Sequence, residues 1–247
     1  MLGASMSEKH PAYRNMCKLQ NGIKSIQDAD TPAGNHWQGI VNEYEQDLNS
    51  KANKRYIWSL RMHDPLKIVI TMHLFLAALI HTALFIVCDF TFKRVRGDLN
   101  EWEVAIWHQA TLQCVTIARI YSNGQDADAL SLFEDFFTAV HAVTQKPIQF
   151  KVFKPDTGNL LSINMDMEVA QVQGLGQALL QLKINHPEVS GINEDDPDIL
   201  VQYILKLCSV HLCRSLDCIQ SAVGTEAVEH LILISSLKDP NAIQEWH

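Results

Sequence analysis

A chain of 247 residues, 47% hydrophobic and 19% charged, is long enough to bury a sizeable core and is composed like a globular protein, which excludes a disordered majority. Its net charge of −8 is uneven: nine basic and seven acidic residues run up to Lys67, eleven and twenty-one beyond it. The acidic bulk repels phosphate backbones and so disfavours nucleic acid as a partner. Eleven glycines and eight prolines are few for a many-stranded, turn-rich β fold.

From the N-terminus, a short helical pattern (Met16, Leu19, Ile23, Ile26) precedes a loop over 28–35. Trp37, Ile40, Val41, Tyr44 and Leu48 then predict an amphipathic helix that continues through Tyr56, Ile57 and Leu60. These segments, residues 1–63, read as surface helices. The start of the chain carries no apolar h-region, so no cleavable signal peptide is expected.

The next stretch, 64–97, dominates the sequence. Asp64 and Pro65 are a good N-cap and first helical residue, Gly97 is a plausible C-cap, and Lys93, Arg94 and Arg96 complement the helix dipole. The periodicity between them is read as one apolar helix over about 65–96. Between Ile68 and Ile86 stand eleven Leu, Ile, Val or Phe residues, which favour bilayer insertion by roughly 3–7 kcal/mol. At about 100° per residue, Lys67, Thr71, Ala78, His81, Thr82 and Asp89 fall on one narrow polar or small stripe. In a membrane the stripe is expected to meet a partner helix, and in a buried helix a polar neighbour.

Beyond Gly97 the helical reading continues, through Trp102, Ala105, Ile106, Leu112, Val115, Ile117 and Ile120 to the turn Ser122-Asn123-Gly124. Another helix carries Leu130, Phe133, Phe136, Phe137, Val140 and Val143. Alternation in Ile148–Phe153, turn residues from Lys154 to Asn159 and the return Leu160–Ile163 predict a single β-hairpin over about 148–164. Helices over about 167–184, 197–222 and 225–237 close an acidic 98–247 domain.

Chemistry-bearing residues each have a structural alternative. His73 and His81 lie eight apart on the apolar stretch, without a partner to make a haem or proton-relay pair, so packed histidines are expected. Cys208 and His211 make half a zinc site, and Cys218 is ten residues too far on. Glu134 with His141, and Glu226 with His230, lack the Glu-x-x-His pattern of a di-iron bundle, and His108 near Glu101 and Glu103 is expected at the surface. Gly174 and Gly176 are better explained by close helix packing than by a phosphate loop, and Glu194–Asp198 by an acidic helix start than by a Ca²⁺ loop.

The sequence therefore predicts a mainly α multi-helix bundle around one long apolar helix, with one hairpin. No catalytic residue, cofactor or metal is expected. The first functional reading is a non-enzymatic, membrane-associated interaction protein anchored by the 65–96 helix. The alternative is a soluble helical adaptor or inhibitor with that helix as its core, and the third is an enzyme whose site is assembled from separated polar residues. The expected partner is another protein with a basic surface, or a membrane, with nucleic acid disfavoured. The six cysteines form no tight framework, which points to reduced thiols and an intracellular location, at an inner or organelle membrane or in the cytoplasm.

Overall fold

The apolar stretch from Ile68 to Thr91 is two strands with a short helix and a tight turn between them, not one helix. In the computed structural model, which describes residues 20–23, 25–26, 37–63, 66–91, 99–124, 129–166, 168–207 and 209–234, the chain forms two compact units, Met1–Lys51 and Ala52–His247. The first contains helix α1 (Trp37–Leu48), as its spacing predicts, but the expected continuation through Tyr56, Ile57 and Leu60 is overturned: Ile57–His63 is a strand. The second is built on a seven-stranded mixed sheet.

The strands are β1 (Ile57–His63), β2 (Leu66–Met72), β3 (Phe85–Thr91), β4 (Asn100–His108), β5 (Gln113–Ser122), β6 (Ser162–Met165) and β7 (Leu205–Leu207). They lie side by side in the order β1-β2-β5-β4-β3-β6-β7. From β1 to β3 all neighbours are antiparallel, whereas β3-β6 and β6-β7 are parallel. Helix α2 (Leu74–Ala78) and the tight turn Leu79–His81 join β2 to β3. Helix α3 (Ala129–Thr144) leads from β5 towards β6. Helices α4 (Val169–Asn185), α5 (Pro187–Ser190) and α6 (Pro197–Ile204) connect β6 to β7, and α7 (Ser209–Val223) and α8 (Thr225–Ile234) follow.

The expectation of a helical bundle with one hairpin is thus overturned, and the reason is physical. A strand buried on both faces loses its alternation and reads as a continuous apolar run. Ile68, Val69, Ile70, Thr71 and Met72 are all buried in β2. The β-branched residues cluster at the two ends, Ile68–Thr71 and Ile86–Val87, while the Leu- and Ala-rich middle makes the short α2. No helix among the described residues is long and apolar enough to cross a membrane, so the transmembrane reading of this stretch is corrected too. The expected caps at Asp64, Pro65 and Gly97, and the basic residues Lys93, Arg94 and Arg96, lie outside the described residues.

The helix expected through Trp102 and Ile120 is the β4-β5 hairpin. Trp102, Val104 and Ile106 point to one face of β4 and are buried, and Ile120 and Ala118 oppose Trp102 and Val104 from β5. A register shift between Val104 and Ala105 puts an extra residue into β5 and scrambles its period. The expected hairpin over 148–164 reduces to one bridge, Phe150 with Leu160, while Ser162–Met165 enters the sheet between β3 and β7. The helix expected over 197–222 is interrupted by β7.

The core lies on the face of Trp102. Phe133 and Phe136 of α3 meet the Trp102 ring edge-on, with centroids 4.6 and 6.3 Å away, and Leu175, Ala178 and Leu179 of α4 are fully buried in the same cluster. At the sheet margin, Arg61 of β1 is ion-paired with the buried Asp135 of α3. Gly176 allows α4 to approach the first turn of α6, where an added Cβ would lie 2.8 Å from the Pro197 carbonyl oxygen. Asp196 caps α6, accepting from the Asp198 backbone N–H at 2.9 Å.

Candidate functional site

Of the parallel pair β3 and β6, β3 carries Asp89 two residues before its last residue, and Asp166 directly follows the last residue of β6. Register pairs Phe85 with Ser162, Ile86 with Ile163 and Val87 with Asn164, and stops before Asp89 and Asp166. Residues two apart on a strand share a face, so Asp89 lies on the side of Val87, opposite the buried Ile86 and Cys88. The chain from β3 goes on to β4 on one side, and the chain from β6 goes through α4 to β7 on the other.

Cys88, buried next to Asp89 in β3, has its thiol pKa pushed up, first by burial and then by the negative charges of Asp166 and Asp89. Asp89 is exposed. Asp166 Oδ1, by contrast, is buried and has no hydrogen-bond partner among the described residues. A buried acceptor left without a donor costs about 1–3 kcal/mol. A second orphan acceptor, Gln171 Oε1, is on the first turn of α4. Gln171 is 5% exposed and its Nε2 donates to Glu168 Oε2 at 2.8 Å.

On the other side of Asp89, Glu103 is its cross-strand partner in β4. Its carboxylate is committed elsewhere: it accepts from Thr116 Oγ1 and lies 3.7 Å from Arg119 Nη2. Arg119 Nε also lies 3.5 Å from the buried Glu101. Burial opposes the charge of Arg119, but Glu101, Tyr121 and Glu103 outweigh it and raise its pKa. This network braces the sheet beside Asp89 and leaves Asp89 and Asp166 as the acidic pair held by no protein donor among the described residues.

No group of three or more His, Cys, Asp or Glu that could hold a metal occurs among the described residues. Two carboxylates suffice for a hard cation such as Mg²⁺, which keeps several waters and takes the rest of its ligands from substrate phosphates.

The structure disperses the expected stripe. Lys67 and Thr71 are on β2, with Thr71 Oγ1 donating to the Arg119 carbonyl at 3.2 Å. Ala78 ends α2 and is exposed. His81 is half-buried, its Nε2 2.8 Å from Thr144 Oγ1, and burial followed by Lys146 lowers its pKa to about 4. Thr82 Oγ1 donates to the Leu79 carbonyl at 3.0 Å. Asp89 alone joins the candidate site. The sequence does not single out Asp166: it follows Ile163-Asn164-Met165, where a polar residue interrupts the apolar ones. His73 packs beside Phe75, and His108 Nδ1 lies 2.8 Å from Thr111 Oγ1. His141 stacks edge-on with His186 at 4.5 Å rather than meeting Glu134 in a metal site. Cys208 and the side chains of His211, Cys213 and His230 lie outside the described residues.

No protein-family profile, curated protein or solved structure matches the chain.

Proposed function

We propose that this protein is a divalent-cation-dependent phosphoryl-transfer enzyme, a nuclease or strand transferase, with Asp89 and Asp166 as the ligands of its metal. It develops the third functional reading of the sequence, an enzyme assembled from separated polar residues. The observation that carries it is the buried Asp166 Oδ1, without a hydrogen-bond partner among the described residues, directly after β6, whose parallel neighbour β3 carries Asp89. Such a carboxylate is stabilised by a cation, and carboxylate-held cations clamp the attacking and leaving oxygens of in-line displacement at phosphorus.

Asp89 and Asp166 would hold the cation charge where the phosphate must sit. A water attacks phosphorus and gives up its proton, the bond from phosphorus to the leaving oxygen breaks, and that oxygen takes up a proton. The cavity of about 460 Å³ beside Phe85, Ile106 and Trp107 lies at the other end of β3 from Asp89. The acidic charge beyond Lys67, which disfavours a broad nucleic acid footprint, restricts the contact to a strand held at the neutralised carboxylates.

The test is cleavage of labelled single- and double-stranded DNA and RNA by the full chain with Mg²⁺ or Mn²⁺. Cleavage is expected to vanish with EDTA and to fall at least 100-fold in Asp89→Asn and Asp166→Asn, with the circular dichroism spectrum preserved. Metal-independent cleavage, full activity in both variants, or no cleavage of any of these substrates would refute the proposal.

A second reading, a non-enzymatic protein-binding module, is supported by the apolar end of the sheet. There Leu84 and Leu112 are 55% and 64% exposed beside the half-exposed Trp107. It predicts that Trp107→Ser weakens capture of a protein partner and leaves phosphodiester cleavage unchanged.

A further inference from the structure

We propose that the corner between Phe153 and Tyr203 docks a basic side chain, arginine or lysine, from a segment of another protein. A cavity of about 430 Å³ opens there, lined by Val152, Phe153, Gly191, Asn193, Glu194 and Tyr203, within the roughly 300–1,000 Å³ of ligand sites. Its aromatic wall is built outward from the core. The buried Phe150 meets Phe153 edge-on with centroids 6.2 Å apart, and Phe153 meets Tyr203 of α6 at 5.9 Å and 79°. Tyr203 remains 52% exposed and Val152 46%. Gly191, which follows α5 at φ +69°, lets the two loops close up, because a Cβ there would collide with the Phe153 carbonyl oxygen.

Charge decides the occupant. Glu194 lines the cavity, and its Oε1 accepts from the backbone N–H groups of Asp195 and Asp196 at 2.8 and 3.0 Å, so the carboxylate is held in place before anything binds. Asp195, Asp196 and Asp198 follow it, and the cations beside them include Lys183, bonded to Asp195 at 2.7 Å, and Lys154, whose stem passes Gly191. The rim is acidic, as is the chain beyond Lys67. An anion is repelled here, and a neutral apolar guest would strip water from Glu194 without replacing it. A guanidinium or ammonium on an aliphatic stem meets both demands. The stem lies along Val152, and the charge stacks on an aromatic face and pairs with Glu194. The acidic field of the chain steers such a partner in.

The experiment measures binding of a fluorescein-labelled peptide of alternating arginine and glycine to the full chain by fluorescence anisotropy, beside the same peptide with citrulline for arginine. The citrulline peptide is expected to bind at least tenfold more weakly, and the arginine peptide to lose affinity between about 50 and about 500 mM salt. Glu194→Gln keeps an oxygen for the two backbone N–H groups and removes the charge, while Tyr203→Ala removes the exposed ring and no charge. Each is expected to weaken binding at least fivefold with the circular dichroism spectrum preserved, and Tyr203→Phe to bind within twofold of the parent. Should Tyr203→Ala fail to fold, Val152→Lys, at an exposed position on the cavity wall, puts a cation of the chain's own in the corner and is expected to abolish binding. No binding of the arginine peptide, or equal binding of the citrulline peptide, overturns the site. Binding that Glu194→Gln, or the folded one of Tyr203→Ala and Val152→Lys, leaves within twofold of the parent reveals diffuse attraction to the acidic surface and overturns it as well.

Discussion

Replacing Gly176 with alanine should destabilise the Ala52–His247 unit by about 1–2 kcal/mol. The new Cβ would lie 2.8 Å from the Pro197 carbonyl oxygen and 2.9 Å from the Pro197 Cβ, well inside ordinary contact. The obstacle is backbone, pinned by the Asp196 cap at the start of α6, so it cannot rotate aside as a flexible side chain would. Overpacking of this kind costs about 1–3 kcal/mol. Alanine returns up to about 1 kcal/mol through its better helix propensity, which the clash more than offsets. At about 2–4 °C per kcal/mol for a chain of this size, the midpoint should fall by roughly 2–8 °C. Thermal and urea unfolding followed by circular dichroism measure it. A variant as stable as the parent, or more so, would show that α4 and α6 do not pack this closely and would sink the reasoning.

Three further outcomes are expected. Between pH 4 and 6, two groups pull stability in opposite directions. Burial, opposed by Arg61 and aided by Glu134, raises Asp135 to about 6, so the folded state binds the extra proton and stability from this group falls as pH rises from about 4 to 6. His81 is lowered to about 4, so its contribution is complete above about pH 6.5 and is lost as pH falls towards 4. Each slope is at most about 1.4 kcal/mol per pH unit. The parent should be nearly flat across this window, His81→Asn should lose stability with rising pH, and Asp135→Asn should gain it. Urea titrations at half-unit pH intervals would refute this if both variants kept the parent profile.

Arg61→Met, which removes the partner of the buried Asp135, should cost about 1–3 kcal/mol at pH 7 and less at pH 5, where Asp135 takes up a proton; equal losses at both pH values would refute the pairing. Trp102→Ala should cost about 3–5 kcal/mol, because a ring 2% exposed is removed from between Phe133 and Phe136. Chemical denaturation measures that loss, and one below 1 kcal/mol would place Trp102 outside the core.

By itself the sequence determined the elements whose signals are local. The spacing of Trp37, Val41, Tyr44 and Leu48 specifies α1, that of Phe133, Phe136, Phe137 and Val140 specifies α3, and Asp196-Pro197 announces the start of α6. The close approach permitted by Gly176 was also legible, since a side chain reduced to hydrogen in a helix most often marks a neighbour. Alternation of Trp102, Val104 and Ile106 with Glu101, Glu103 and Ala105 was present as well, but the helical spacing of the neighbouring apolar residues masked it.

Only the tertiary structure decided what the stretch from Ile68 to Thr91 becomes. A strand owes its stability to hydrogen bonds and packing from partners elsewhere in the chain, and a strand covered on both faces writes no alternation into its own residues. The same non-local pairing made the candidate site. Asp89 and Asp166 are separated by β4, β5 and α3 in sequence, and each alone is an ordinary acidic residue. Parallel pairing of β3 with β6 brings together the strands that carry or precede them, and one carboxylate oxygen of Asp166 is buried.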